Sequence, residues 1–116
     1  MGCKGGLEFT FNEMLVLILL REREMYGMEI VNAAAARTSA SQASIGTVYP
    51  LLKDMVRQGW LACRRAGGTP RTYYSLTDQG KSQLPLVTAQ WGQVNDSVRT
   101  LLGDVAAEPP APPLRH

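Results

Sequence analysis

Histidine and cysteine are scarce in this chain of 116 residues, which holds one histidine and two cysteines. The histidine is the last residue, His116, and the two cysteines, Cys3 and Cys63, lack the CxxC spacing of a zinc site. We therefore expect no metal site and no cofactor. Both thiols are expected to be free in a reducing compartment.

Long apolar runs and catalytic motifs are also missing. The apolar run from Met14 to Leu20 has seven residues, whereas a membrane-spanning helix needs roughly 20. No signal-peptide pattern is visible, so we expect a cytoplasmic protein that does not contact a membrane. The chain has no P-loop and no GxSxG motif, and its carboxylates form no catalytic pair, so we expect no enzyme activity.

Charge is unevenly distributed along the chain. Residues 53–81 include six basic and two acidic side chains, whereas residues 8–29 include five acidic and two basic ones. The net charge is only +2, so the distribution rather than the total indicates a local anion-binding face. At 45% hydrophobic residues, the chain can form one domain with a real core.

Hydrophobic spacing predicts two helices in the first third of the chain. The first starts near Phe11 and continues to about Arg23. The second runs over about residues 26–37, and its inner face is predicted to contain Met28, Val31 and Ala35.

A third helix with a polar outer face follows a polar loop. Ser44 is its expected N-cap, and Gly59 is its expected stop. Proline is tolerated in the first turn of a helix, so Pro50 is acceptable if the regular helix starts near Thr47. Two short β-prone runs, residues 60–65 and 72–76, then predict a β-hairpin with a turn-rich tip.

A long last helix is predicted from its N-cap Thr77. Its apolar residues alternate between spacings of three and four, which is the rhythm of a coiled-coil seam and predicts a homodimer. Pro85 is expected to kink or delay this helix. The residues expected at the dimer interface are Phe11, Leu84, Val87, Trp91, Val94, Val98 and Leu101.

Three helices, a hairpin and a further helix are the elements of a winged helix-turn-helix. The predicted fold class is therefore mainly α with a small β-hairpin, followed by a long C-terminal dimerisation helix. The predicted divisions are a disordered N-terminus (1–6), the winged helix-turn-helix (7–76), the dimerisation helix (77–103) and a disordered proline-rich tail (104–116).

Three segments, in order, resemble the PadR family of transcriptional regulators. They read MYGMEI at 25–30, GTVYPLL at 46–52 and RTYYSLTDQG at 71–80, and they are similar to the family patterns YGYEI, GTLYPLL and RKYYxLTxxG. The resemblance covers about residues 7 to 102. It departs from the family at Met28, where an aromatic residue is usual, and at Thr72, where a basic residue is usual.

The resemblance implies a ligand-responsive repressor that binds a pseudo-palindromic operator in double-stranded DNA as a homodimer. Its third helix would enter the major groove, and its hairpin, the wing, would touch the DNA backbone. The residues expected to contact DNA are Tyr26, Ser44, Thr47, Tyr49, Pro50, Lys53, Arg57, Arg64, Arg65 and Arg71.

Some of these residues have a second interpretation. Tyr26 and Tyr49 either donate their hydroxyls to phosphates or pack helices two and three together. Lys53 and Arg57 either contact DNA or cover a solvated helix face. The three wing arginines alternate in direction, so we expect two to reach DNA and one to stay solvated. The alternative function is a winged-helix protein-interaction module without DNA binding.

The resemblance also extends to the short, multidrug-sensing form of the family, which has one C-terminal helix with a tryptophan facing its dimer mate. It implies that Trp91 stacks on a planar aromatic effector, in a pocket where Thr88 and Asn95 leave room and offer hydrogen bonds. The alternative is that Trp91 is ordinary dimer core.

Overall fold

The computed structural model describes residues 9–38 and 44–107. It consists of four helices and a small antiparallel sheet. The predicted fold class is confirmed. The predicted disordered segment 1–6 and the residues from 108 onward lie outside the described residues. In chain order the elements are α1 (Phe11–Glu22), β1 (Met25–Tyr26), α2 (Gly27–Arg37), α3 (Ile45–Arg57), β2 (Leu61–Arg65), β3 (Thr72–Leu76) and α4 (Asp78–Ala107).

Side chains close the first turns of α1 and α3. The backbone N–H of Glu13 donates to the Thr10 hydroxyl (3.0 Å), and the Glu13 carboxylate accepts from the Thr10 N–H (2.9 Å). In α3 the Thr47 N–H donates to the Ser44 hydroxyl (3.3 Å), and the Ser44 N–H donates to the Thr47 hydroxyl (3.0 Å). Both pairs satisfy helix donors that would otherwise lack a partner, and the predicted N-cap at Ser44 is confirmed.

The helix α3 begins at Ile45, directly after its cap Ser44, so a start near Thr47, the condition for placing Pro50 in the first turn, is not met. Pro50 therefore lies beyond the first turn, and its ring nitrogen cannot donate to the carbonyl of Gly46. Both residues are exposed, so water can reach that carbonyl. The proline is thus tolerated because it occupies the solvent side of the helix.

The end of α3 follows from one glycine. Gly59 has a φ of 87°, a conformation that side chains other than glycine rarely adopt. Its N–H donates to the Val56 carbonyl (3.0 Å), and the next N–H, of Trp60, donates to the Met55 carbonyl (3.0 Å). These two bonds form a Schellman cap, and they turn the chain directly into β2.

The wing hairpin is present, but the sheet has a third strand that the sequence did not predict. The strand order is β1-β3-β2, and both pairings are antiparallel. Tyr26 pairs with Tyr73, which in turn pairs with Arg64. A strand of two residues is too short to show an alternating pattern, so only its position beside β3 reveals it.

The last helix runs four residues beyond the predicted boundary at 103 and ends at Ala107. Thr77 caps it as predicted, because its hydroxyl accepts from the Gly80 N–H (2.9 Å) and donates to the Gly59 carbonyl (2.6 Å). Pro85 lies inside the helix without ending it. No helix among the described residues is long and apolar enough to span a membrane.

The core joins all four helices and the start of the wing. The inner face of α2 consists of Ile30, Val31 and Ala34, and Ala35 is exposed, which corrects the predicted inner face. Val87 of α4 is fully buried within its own chain. The side chains with the least exposure are Leu17, Leu19, Ile30, Leu52, Met55 and Val87.

Candidate nucleic-acid interface

One side of α3 is buried and the other is open to solvent. Val48, Leu52 and Met55 fix the buried side. The opposite side presents residues at spacings of four, three and four, which places them on one strip of the helix. The strip consists of Gly46, Pro50, Lys53 and Arg57, all exposed, and the exposed Thr47 and Ser44 lie at its N-terminal end.

The two cations on this strip differ in their neighbours. The Arg57 guanidinium pairs with the Asp54 carboxylate one turn earlier. No acidic side chain of the described residues lies within 4 Å of the Lys53 ammonium. Lys53 therefore offers a full charge to an anion, whereas Arg57 would first have to share its charge with Asp54.

Tyr49 links α3 to the start of α2. A Cβ on Gly27 would lie 2.6 Å from the Tyr49 hydroxyl oxygen and 2.7 Å from the ring carbon that carries it. Any larger residue at this position would require the Tyr49 ring to move. Tyr49 is 37% exposed, so it packs the two helices together while part of its side chain stays open to solvent.

A surface cleft of about 500 Å³ separates α3 from the wing. Three of the predicted DNA-contacting side chains, Tyr26, Tyr49 and Arg71, meet there. The cleft combines three tyrosine side chains, a cation and the N-terminal end of α2, and the last two attract an oxyanion. Its lining consists of Tyr26, Gly27, Met28, Tyr49, Pro70, Arg71, Thr72 and Tyr74.

Two of the three wing arginines, Arg64 and Arg65, are consecutive residues of β2 and point to opposite sides of the sheet. Arg64 forms a two-pronged ion pair with Glu24, with its Nε 2.8 Å from Oε2 and its Nη2 2.6 Å from Oε1. The hydrogen bonds from Arg64 hold the pKa of the Glu24 carboxyl below its ordinary value. Arg65 faces the other side of β2, and Arg71 lies at the wing tip. Arg64 is therefore the wing cation that is already neutralised.

Sequence reasoning missed Glu24. It lies 40 residues from Arg64 in the chain, in a segment that contains five acidic residues, and no spacing rule connects the two. Only the pairing of β1 with β3 and of β3 with β2 brings them together.

The side of β2 that faces α3 carries a second, shallower cleft of about 380 Å³. Burial raises the pKa of the Tyr74 hydroxyl above its ordinary value, and the neighbouring Cys63 and Tyr49 add to that shift. Cys63 is a free, exposed thiol, as predicted. The cleft is lined by Lys53, Val56, Arg57, Cys63 and Tyr74, so the base of the wing and the open strip of α3 form a continuous surface.

Trp91 contacts its own chain. Its indole N–H donates to the Phe9 carbonyl (3.1 Å), and its ring meets the Phe11 ring edge to face at 5.6 Å. The amide of Gln90 also holds Phe9, accepting from its N–H (3.2 Å) and donating to its carbonyl (2.9 Å). Phe11, expected at the dimer interface, thus packs against Trp91 of the same chain.

The other predicted ligand and dimer residues are spread along α4. Thr88 and Asn95 are exposed and share one side of the helix with Trp91. The expectation that Val87 faces a partner is corrected, because its side chain has no exposed surface. Leu84 and Val94 are half-buried, while the exposed apolar residues further along are Val98, Leu101, Leu102 and Val105.

Comparison with known proteins gives a consistent result. The sequence profile of the transcriptional regulator PadR-like family matches residues 16–85. A PadR family transcription regulator from Clostridium difficile R20291 has a similar structure, with a TM-score of 0.68 and 25% identity over 80% of this chain and 99% of that chain. A PadR family transcriptional regulator from Eggerthella lenta DSM 2243 is 41% identical, with a TM-score of 0.61, over 77% of this chain and 75% of that one.

A further relative is an uncharacterized protein from Lysinibacillus sphaericus. It is 26% identical over 90 residues, which cover 74% of this chain and 83% of that protein.

Proposed function

The chain belongs to the PadR-like family of transcriptional regulators, and from this premise we propose that it binds double-stranded DNA as a homodimer and represses transcription. Members of this family are regulators rather than enzymes. The observation that carries the proposal is the open strip of α3, which lies beside the cleft that gathers Tyr26, Tyr49 and Arg71. A helix flanked by a basic wing fits the major groove and the adjoining backbone.

In this complex, the strip of α3 reads base edges while the cleft holds a phosphate. Thr47 lies at the N-terminal end of the helix, the part that approaches base edges in helix-turn-helix proteins. Gly46 has no neighbouring atom closer than 3.8 Å to a Cβ that it would carry. Its lack of a side chain is not needed for packing within the described residues, and we attribute it to a close approach of the DNA.

The second half of α4 would join the two subunits. The exposed apolar side chains of that half are unpartnered in the single chain, and such a stripe is costly in water. A symmetric pair of chains would present two copies of α3 to successive major grooves, so the operator should be a pseudo-palindrome.

The direct test is a titration of the protein with labelled duplex DNA from the region upstream of its own gene. Fluorescence anisotropy of the DNA measures the binding. With about six phosphate contacts per dimer, affinity should fall roughly 10³-fold between about 50 and 200 mM salt. Lys53→Gln should weaken binding to all sequences and flatten the salt dependence. Arg99→Gln removes an equal charge from the distal part of α4 and serves as the matched control, with no effect expected.

Thr47→Ala should instead relax the sequence preference. Because the Thr47 hydroxyl also closes the first turn of α3, Thr47→Ser serves as a control that keeps this hydroxyl. Binding that does not depend on salt, or no binding to any duplex, would support the alternative of a protein-interaction module. The neutralised Arg64 and the shared charge of Arg57 are the features that favour that alternative.

We extend the proposal to an effector that stacks on Trp91. The indole is half-buried and forms a T-shaped contact with the Phe11 ring, so a planar aromatic compound that stacked there would replace a contact made by the N-terminal end of α1. In a Trp60→Phe protein, Trp91 is the only tryptophan, and planar dyes should quench its fluorescence saturably. Quenching that persists at the same dye concentration after Thr88→Ala and Asn95→Ala would show that these two side chains do not line the pocket.

A further inference from the structure

Five side chains on the outer side of the wing sheet form one continuous row. The Glu24 carboxylate forms an ion pair with Arg64, and the Arg64 guanidinium lies 5.0 Å from the centre of the Tyr73 ring. The Tyr73 and Tyr26 rings meet at 5.6 Å with an angle of 68° between them. The Arg71 guanidinium then lies 4.3 Å from the centre of the Tyr26 ring.

The sheet itself sets the order of this row. Arg64, Tyr73 and Tyr26 are direct cross-strand partners, so their side chains project to the same side at neighbouring positions. The two outer members close the row at its ends, Glu24 just before β1 and Arg71 just before β3. The rings are half-buried, and Glu24 anchors the row at the end that is far from the wing tip.

We propose that Tyr26 is a positioning residue, and that its ring holds the Arg71 guanidinium in the orientation in which it contacts a DNA phosphate. A free arginine side chain loses considerable rotational freedom on binding, and a ring that holds it beforehand removes part of that loss. Tyr26 acts through its aromatic face and not through its hydroxyl. This inference rests on the proposed DNA binding.

Variants of Tyr26 and Arg71 test this role through DNA affinity. Tyr26→Phe keeps the ring and should bind within about twofold of the wild type. Tyr26→Leu keeps the apolar volume without the ring and should bind about tenfold more weakly, since each dimer loses two cation–ring contacts. Arg71→Ala should have at least as large an effect, and it should also flatten the salt dependence, because it removes the phosphate contact itself.

The double variant decides between positioning and independent contacts. If Tyr26 acts through Arg71, Tyr26→Leu combined with Arg71→Ala binds no more weakly than Arg71→Ala alone. Additive losses would overturn the proposal. A loss in Tyr26→Phe as large as that in Tyr26→Leu would also overturn it, because it would show that the hydroxyl contacts the phosphate.

A measurement on the free protein separates this inference from the proposed function. Ring currents from Tyr26 should shift the NMR signals of the Arg71 side chain in the wild type and in Tyr26→Phe, but not in Tyr26→Leu. Tyr49→Phe, which changes a neighbouring phenol of the same cleft, should leave those signals unchanged. If no duplex binds the wild type, the proposed function fails, but the NMR test of the contact between Tyr26 and Arg71 remains valid. If the Arg71 signals are not shifted in the wild type, the contact between Tyr26 and Arg71 is refuted.

Discussion

The two halves of α4 carry the same apolar rhythm but have different surroundings. In the first half, residues 78–93, Val87 has no exposed surface, and Leu84 and Trp91 pack against the core of the same chain. In the second half, residues 94–107, Leu101 is 63% exposed and Val105 is 66% exposed. The same apolar pattern is therefore covered by the core of its own chain in the first half and left exposed in the second half.

This difference shows that a stripe of apolar residues recognised in the sequence does not reveal which surface covers it. The spacing of three and four requires only that one side of the helix be covered. Within the first half that cover is α1 and the segment around Phe9, which Gln90 and Trp91 hold by hydrogen bonds. We propose that a second copy of the chain covers the second half.

The largest effect should come from placing a charge in the first half. Val87→Asp would bury an unpaired carboxylate in the core and should lower the free energy of unfolding by about 4 kcal/mol. Urea denaturation followed by circular dichroism measures this loss. Ala89→Asp places the same charge on the exposed side of the same turn and should change little. Equal losses in both variants would show that the first half is not a core element.

In the second half, a substitution to aspartate should dissociate the dimer without unfolding the chain. Leu101→Asp should weaken the dimer roughly a hundredfold, because two leucine side chains lose their burial. Sedimentation equilibrium measures the dissociation constant, and circular dichroism checks the fold. Thr100→Asp is the matched control on the adjacent, off-stripe position. A wild type that is monomeric at micromolar concentration would contradict the assignment of this half to a second copy.

A smaller effect is expected at the hydrogen bonds that attach the N-terminal segment to the first half of α4. Gln90→Ala removes both amide bonds to the backbone of Phe9 and should cost about 1–2 kcal/mol of stability. Hydrogen exchange at the Phe9 amide should become faster at the same time. Gln93→Ala changes an exposed glutamine one turn further along. If it accelerated that exchange equally, the specific role of Gln90 would be refuted.

The smallest effect should come from pH. The pKa of Glu24 is lowered in the folded chain, mainly by hydrogen bonds from Arg64. Its stabilising contribution is therefore complete above the ordinary value of 4.5 and is lost as the pH falls through the lowered value. Urea midpoints of the wild type and Glu24→Gln should differ at neutral pH and converge in acid.

Glu22→Gln is the control for that titration, since among the described residues Glu22 forms longer surface ion pairs at 3.6 Å. Within the described part of the second half of α4, no ion pair within 4 Å is present. Dimer dissociation should therefore not follow the titration of Glu24. A pH dependence of assembly with the same midpoint would mean that the two regions are coupled.

Much of the fold could be predicted because its signals are local. Ser44 and Thr77 cap helices through atoms three residues away, and Gly59 ends α3 through its own φ. The phase of α2 was predicted less well. Its run of four alanines, residues 33–36, offers no contrast between an inner and an outer side, so packing against α1 and α3 decides which alanine is buried.

The candidate interface divides in the same way. The polar strip of α3 and the basic wing are visible in the sequence, because both depend on periodicity within one element. Which arginine is free is not visible, since Arg64 is neutralised by Glu24 and Arg71 is held by Tyr26 only after three strands have paired.

By itself, the sequence determined the order of the helices and of the two hairpin strands, and the caps at Ser44, Gly59 and Thr77, because those depend on neighbours within a few residues. Only the tertiary structure decided the partners: Trp91 with Phe9, Val87 with the core, and Arg64 with Glu24. Apolar spacing and the sign of a charge indicate what kind of neighbour a side chain requires. Contacts between residues 40 to 82 positions apart, however, depend on how the whole chain folds.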